Sequence, residues 1–150
     1  MASRRVRPRL MPHDDEIEIR AVLDTSAMLS YARGHLHVGE LLVDIADEGA
    51  YAGLPAVTLL DAYARVGGDA PARARLGVLA ALPSVAVLPL GSGEAGDTAA
   101  FVRLVKGDLA RAHAVWAALQ HDAYYLTSEP YLTPSAIPAD QVHHIPADDA

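Results

Sequence analysis

Short apolar runs closed by turn residues alternate with helix-period segments along most of the chain, and no other feature narrows the fold so far. Glu18 to Leu23 alternates and then turns apolar, which predicts a strand entering a core; it stops at Asp24-Thr25-Ser26, where Asp24 or Thr25 caps a helix over Ala27 to Ala32. His37 to Glu48 carries Val38, Leu41, Leu42 and Ile45 at helical spacing, with Gly49 as terminator. Tyr51 to Val57 holds Gly53 and Pro55 and reads as a short strand. Helices are expected over Thr58 to Val66 and Pro71 to Leu82, then a strand over Ser84 to Leu90 and a loop over Gly91 to Gly96. Two helices, Asp97 to Val105 and Asp108 to Leu119, separate near Gly107, with Asp97 and Asp108 expected at their positive ends. Tyr124 to Thr127 reads as a strand, Ser128 to Asp140 as a polar loop, and Gln141 to Ile145 as a last short strand. Strands separated by helices imply an α/β fold with a parallel sheet covered on both faces, and Leu23, Val87 and Leu126 are expected to be buried near it.

With 150 residues, the chain has the length of one domain, and 51% apolar against 21% charged residues is enough to build a core. The division read from the sequence is a flexible basic arm over 1–15 and a domain over 16–150. There is no cysteine, which excludes disulfides, thiolate metal sites and a Cys nucleophile and makes a reducing cytoplasm the expected location. No apolar run approaches the ~20 residues of a membrane span, so no membrane is expected among the partners. The Arg-rich start lacks the apolar stretch of a secretory signal. The formal charge is −7, and without Arg4, Arg5, Arg7 and Arg9 the count is 8 basic against 19 acidic residues, or −11. Such a body repels a nucleic-acid backbone unless a metal ion or a basic strip intervenes.

In a parallel sheet, the functional cleft lies beyond the C-terminal strand ends, where strand order reverses. Asp24 and Thr127-Ser128-Glu129 sit at expected strand ends, Asp61 one turn into a helix, and Asp108 at a helix start. Four acids on four elements are thus expected to converge on one edge of the sheet. Crowded carboxylates suit Mg2+ or Mn2+, hard cations that polarise a phosphodiester and activate a bound water. Each acid has a plainer role as well: Asp24 and Asp108 as helix caps, Asp61 on a solvated face, Glu129 in an exposed loop.

Ala21-Val22-Leu23-Asp24-Thr25-Ser26-Ala27-Met28-Leu29 resembles the opening strand of PIN-domain ribonucleases. Leu54-Pro55-Ala56-Val57-Thr58-Leu59-Leu60-Asp61-Ala62-Tyr63 is similar to their second block, with Asp61 in place of the usual Glu. Ala112-His113-Ala114-Val115-Trp116-Ala117-Ala118, followed by Tyr124-Tyr125-Leu126-Thr127-Ser128-Glu129-Pro130, is similar to their last helix and strand. By size, the toxins of VapBC-type toxin–antitoxin pairs are the nearest members. The resemblance implies a three-layer α/β/α sandwich with a central, mainly parallel sheet of four or five strands. It also implies an Mg2+- or Mn2+-dependent endoribonuclease with Asp24, Asp61, Asp108 and Glu129 as catalytic and metal-binding acids. Thr25, Ser26, Arg111, Thr127 and Ser128 are then the substrate-binding residues. RNA is the implied substrate, with an antitoxin protein and a second copy of the chain as partners. The family's third acid falls on Arg111 in a gapless reading, one helical turn after Asp108, and Glu129 stands where the family has Asp. Arg111 favours a second reading, a catalytically degenerate PIN-like domain that serves as a protein- or nucleic-acid-binding regulatory module.

Other features have plainer explanations. Gly91-x-Gly93 with Gly96 reads as a flexible connection, not a dinucleotide loop. Adjacent His143 and His144 point to opposite faces of a strand, which argues against a joint metal site, and His35 and His37 read as surface residues at a helix start. Trp116 reads as core, one of Tyr124 and Tyr125 as buried, and Tyr131 as a contact for substrate or partner.

Overall fold

The computed structural model describes residues 17–146, and the basic arm expected over 1–15 lies outside the described residues. Among the described residues the sheet has five parallel strands, β1 (Ile19–Leu23), β2 (Tyr51–Pro55), β3 (Val85–Leu88), β4 (Tyr124–Thr127) and β5 (Val142–His144), in the order β3-β2-β1-β4-β5. Strands β1 to β3 step outward on one side of β1, and β4 and β5 on the other, so the order reverses between β1 and β4.

Side-chain direction divides the core in two, alternating along the strands except at an irregularity of β1 between Ile19 and Ala21. On one face, Ala21, Leu23, Leu54 and Leu126 pack with helices α1 (Thr25–Ala32), α2 (Leu36–Asp47) and α4 (Ala70–Ala81) through Met28, Val38, Leu42, Leu76 and Leu79. On the other, Ile19, Val22, Leu88 and Tyr125 pack against α6 (Leu109–Gln120) through Ala114, Val115 and Ala118. Helix α3 (Ala56–Val66) packs against both α1 and α6. The result is an α/β sandwich of three layers. Gly53 keeps the centre of β2 thin, since a Cβ there would stand 2.8 Å from Leu88 Cδ1 and 3.2 Å from Ile19 Cγ2.

Three sequence expectations are corrected. The stretch from Gly91 is not a loop: Ser92–Ala99 forms helix α5, whose first turn is closed by Glu94 Oε1 accepting the Gly91 N–H at 2.8 Å. Asp97 therefore lies near the end of that helix, away from any positive end, and only the short 3-10 turn Arg103–Val105 follows before α6. Lys106 (φ 57°) and Gly107 (φ 86°) break the chain there in left-handed conformations. Val87 is 44% exposed because β3 is an edge strand. Trp116 is partly buried against the second core, as the sequence suggested.

Among the described residues, no helix is long and apolar enough to cross a membrane.

Candidate functional site

The reversal of strand order brings the C-terminal ends of β1 and β4 side by side, and each ends in polar residues. Asp24 follows β1 directly. Its N–H donates to the Leu126 carbonyl at 3.1 Å, continuing the ladder to β4, while its Oδ1 accepts the Ala27 N–H at 2.9 Å and caps α1. Both roles hold the carboxylate at the seam, 1% exposed. Ser26 Oγ donates to Asp24 Oδ1 at 2.6 Å and accepts the Ser128 N–H at 2.8 Å, tying the two strand ends together. Thr127 Oγ1 accepts the Glu129 N–H at 2.9 Å and lies 3.3 Å from Ser26 Oγ. The hydroxyls of Ser26 and Thr127, and the Ser128 backbone, thus spend their bonds on building the turn.

The centre of the site is Arg111, in the first turn of α6, with its side chain 11% exposed. One guanidinium nitrogen lies 3.0 Å from Glu129 Oε1, another 3.5 Å from Asp24 Oδ2, and Nε is 3.5 Å from Asp108 Oδ2. Asp108 also caps α6, its Oδ1 accepting the Arg111 N–H at 3.0 Å. Three of the four acids singled out in the sequence therefore meet on one internal cation. The fourth, Asp61, is held on different partners: Thr25 Oγ1 donates to its Oδ2 at 2.9 Å, and Arg65 Nε pairs with the same oxygen at 3.1 Å.

Two members of the network are not evident from sequence motifs. Tyr125, the buried one of the tyrosine pair, donates its hydroxyl to Asp24 Oδ2 at 3.3 Å. Alternation along β4 puts it on the face of α6, the only hint the sequence holds. Arg65 follows Asp61 by four residues, a spacing that pairs charges on a helix.

The electrostatics follow from burial. Desolvation raises the Asp24 pKa above the usual carboxylate value, although hydrogen bonds from Ser26, Thr127 and Ala27 and the charge of Arg111 pull the other way. Burial pushes the Tyr125 phenol strongly up, and the charge of Asp24 adds to this, so it stays a donor. Burial opposes the Arg111 charge, but Glu129, Asp24 and Asp108 outweigh it and hold the guanidinium protonated.

In this disposition, the carboxylate cluster fits a guanidinium rather than a divalent ion. Arg111 lies where a bridging cation would sit, and among the described residues no group of three or more His, Asp or Glu side chains is placed to hold a metal. Beside the cluster, Asp108 and Arg111 line an open cavity of about 270 Å3 with Leu104, Lys106, Tyr131 and Thr133, and Tyr131 is 77% exposed at its wall.

No protein-family model matches the chain, and no curated protein shows significant sequence similarity to it.

Proposed function

We propose that the chain is a catalytically degenerate PIN-like domain, a regulatory module that takes a macromolecular partner at the C-terminal edge of its sheet. The observation that carries this reading is the Arg111 guanidinium seated among Asp24, Asp108 and Glu129. A cation supplied by the fold neutralises the acids, and displacing it breaks the buried Arg111–Asp24 pair, which costs several kcal/mol. The cavity beside Arg111, with exposed Tyr131 and Lys106 on its wall, is where a partner reaches the site. An aromatic ring beside an exposed cation suits a protein or nucleic-acid surface.

A second reading, an Mg2+- or Mn2+-dependent endoribonuclease acting as the toxin of a toxin–antitoxin pair, is favoured by one observation: the acids Asp24, Asp108 and Glu129 meet on Arg111, and Asp61 accepts a hydrogen bond from Thr25, the residue after Asp24. It requires Arg111 to leave the cluster. In either reading the proposed setting is the cytoplasm, and the proposed assembly is a homodimer, with an antitoxin-like protein as partner in the second. The dimer is suggested by exposed Leu36 and Val43 on α2 and Val78 on α4.

RNA cleavage by the purified full chain, in Mg2+, in Mn2+ and in EDTA, separates the two. The degenerate module cleaves in none of these conditions. Cleavage that requires Mg2+ or Mn2+, stops in EDTA and is lost in Asp24→Asn overturns it in favour of the nuclease.

A further inference from the structure

Exposed apolar residues gather at the cavity beside Arg111. Leu104 comes from the 3-10 turn before α6, and Tyr131 and Leu132 from a second 3-10 turn, Pro130–Leu132, that follows Glu129. All three are exposed, and so is Leu109, the first residue of α6. Apolar side chains exposed together rather than singly mark an interaction surface.

The charge of the cavity differs from that of the chain. Its charged lining residues are Lys106, Asp108 and Arg111, two cations against one carboxylate, in a chain with a formal charge of −7. The Asp108 carboxylate is already spent on Arg111 and on the cap of α6. Lys106 is exposed and takes part in no ion pair among the described residues. Its backbone holds φ 57°, a conformation that glycine or asparagine adopts at lower cost, yet the position carries a long cationic side chain. Thr133 lines the same cavity, and its buried hydroxyl has no hydrogen-bond partner among the described residues.

The geometry points to this cavity as the docking site for a partner protein's segment that sets a leucine-sized side chain next to a carboxylate. The inference rests on the reading of the chain as a regulatory module and names the class of its partner. The apolar side chain leaves water against Leu104, Leu132 and the ring of Tyr131. The carboxylate meets the Lys106 ammonium, a cation that the fold leaves unpaired, with the Thr133 hydroxyl as a donor still unspent. A nucleic-acid backbone fits less well. Asp24, Asp108 and Glu129 stand beside the cavity with one guanidinium among them, so a row of phosphates meets a repulsion that a single carboxylate avoids.

The test is an NMR titration of the full chain, read at its backbone amides, with three probes. These are a capped hexapeptide of alternating glutamate and leucine, its counterpart with glutamine for glutamate, and a uridine hexanucleotide. The glutamate peptide should give saturable shifts at Leu104, Lys106, Arg111 and Tyr131, weakened at high salt. The glutamine peptide should bind about twofold to fivefold more weakly, and so should the glutamate peptide to Lys106→Gln. Leu104→Ser should weaken both peptides alike. Arg33→Gln, which removes an exposed cation at the far end of α1, should change nothing. Circular dichroism of each variant checks folding. Absence of saturable shifts at these residues, equal binding of the two peptides, or equal effects of Lys106→Gln and Arg33→Gln overturns the assignment, and tighter binding of the hexanucleotide at the same residues overturns it in favour of nucleic acid. RNA cleavage judges the regulatory-module reading separately, so a chain that neither cleaves RNA nor takes the peptide loses this inference alone.

Discussion

Arg111 decides the character of the acid cluster, and the energetics of its removal are specific. Arg111→Ala leaves Asp24 buried beside Tyr125 with no cation, which should destabilise the fold by about 3 kcal/mol at pH 8. The loss should shrink as the pH falls, because Asp24 already has a raised pKa, and losing the arginine raises it further, so it takes up a proton instead. Urea unfolding at pH 8 and pH 5 measures both. Arg111→Asp puts a carboxylate where the resemblance places one, and calorimetry should detect Mg2+ or Mn2+ binding tighter than that of wild type. Asp24→Asn keeps the cap on α1 but sets an amide NH2 where Oδ2 accepted from Tyr125 and faced Arg111, so it should destabilise the fold by about 1–3 kcal/mol. His113 titrates with the opposite sign. It is fully buried, its Nδ1 accepts the Val57 N–H at 3.2 Å, and its Nε2 finds no hydrogen-bond partner among the described residues. Burial lowers its pKa, so the folded chain holds fewer protons than the unfolded one below the ordinary value of 6.5. Its contribution is present above that pH and lost as the pH falls through it. Unfolding free energy measured from pH 7.5 to pH 5 should fall for wild type and fall less for His113→Gln.

Among the elements, caps and close contacts set the tolerances. Asp69 and Asp108 both cap helices, α4 and α6, each accepting a backbone N–H at about 3 Å. Asp69 is exposed and has no part in the acid cluster, so Asp69→Ala should cost about 1 kcal/mol and leave the cluster untouched. Asp108→Ala loses a cap and a carboxylate on Arg111, and should cost more than Asp69→Ala under the same denaturant assay. In β2, Gly53→Ala forces Leu88 and Ile19 aside in a close-packed face and should cost about 1–3 kcal/mol. Strand boundaries read from the sequence hold to within a few residues, since turn residues mark them. The helix at Ser92–Ala99 was not legible, because Gly91, Gly93 and Gly96 within six residues suggest a loop while a single side-chain cap, Glu94 on the Gly91 N–H, closes the first turn.

At the scale of the molecule, the chain runs out from β1 in one direction, returns through α6, and lays β4 on the other side of β1. This crossing places residues 101 apart, Ser26 and Thr127, within 3.3 Å. The exposed apolar residues on α2 and α4 lead to the proposed homodimer, and light scattering from micromolar to submillimolar concentration should show the mass of two chains. A monomer throughout that range removes the dimer and leaves the site assignment unaffected.

The sequence by itself determined the α/β architecture, because strand and helix periods, punctuated by glycine, proline and aspartate, are local properties. It also determined which strand and helix ends carry acids. Only the tertiary structure decided what those acids do. The pairing of β1 with β4 and the approach of α6 put one guanidinium among Asp24, Asp108 and Glu129, and set Tyr125 on Asp24. It also brought His37 to His143, which the alternation of a single strand gave no reason to expect. These are contacts between residues remote in sequence, and they depend on directions and distances that no local pattern encodes.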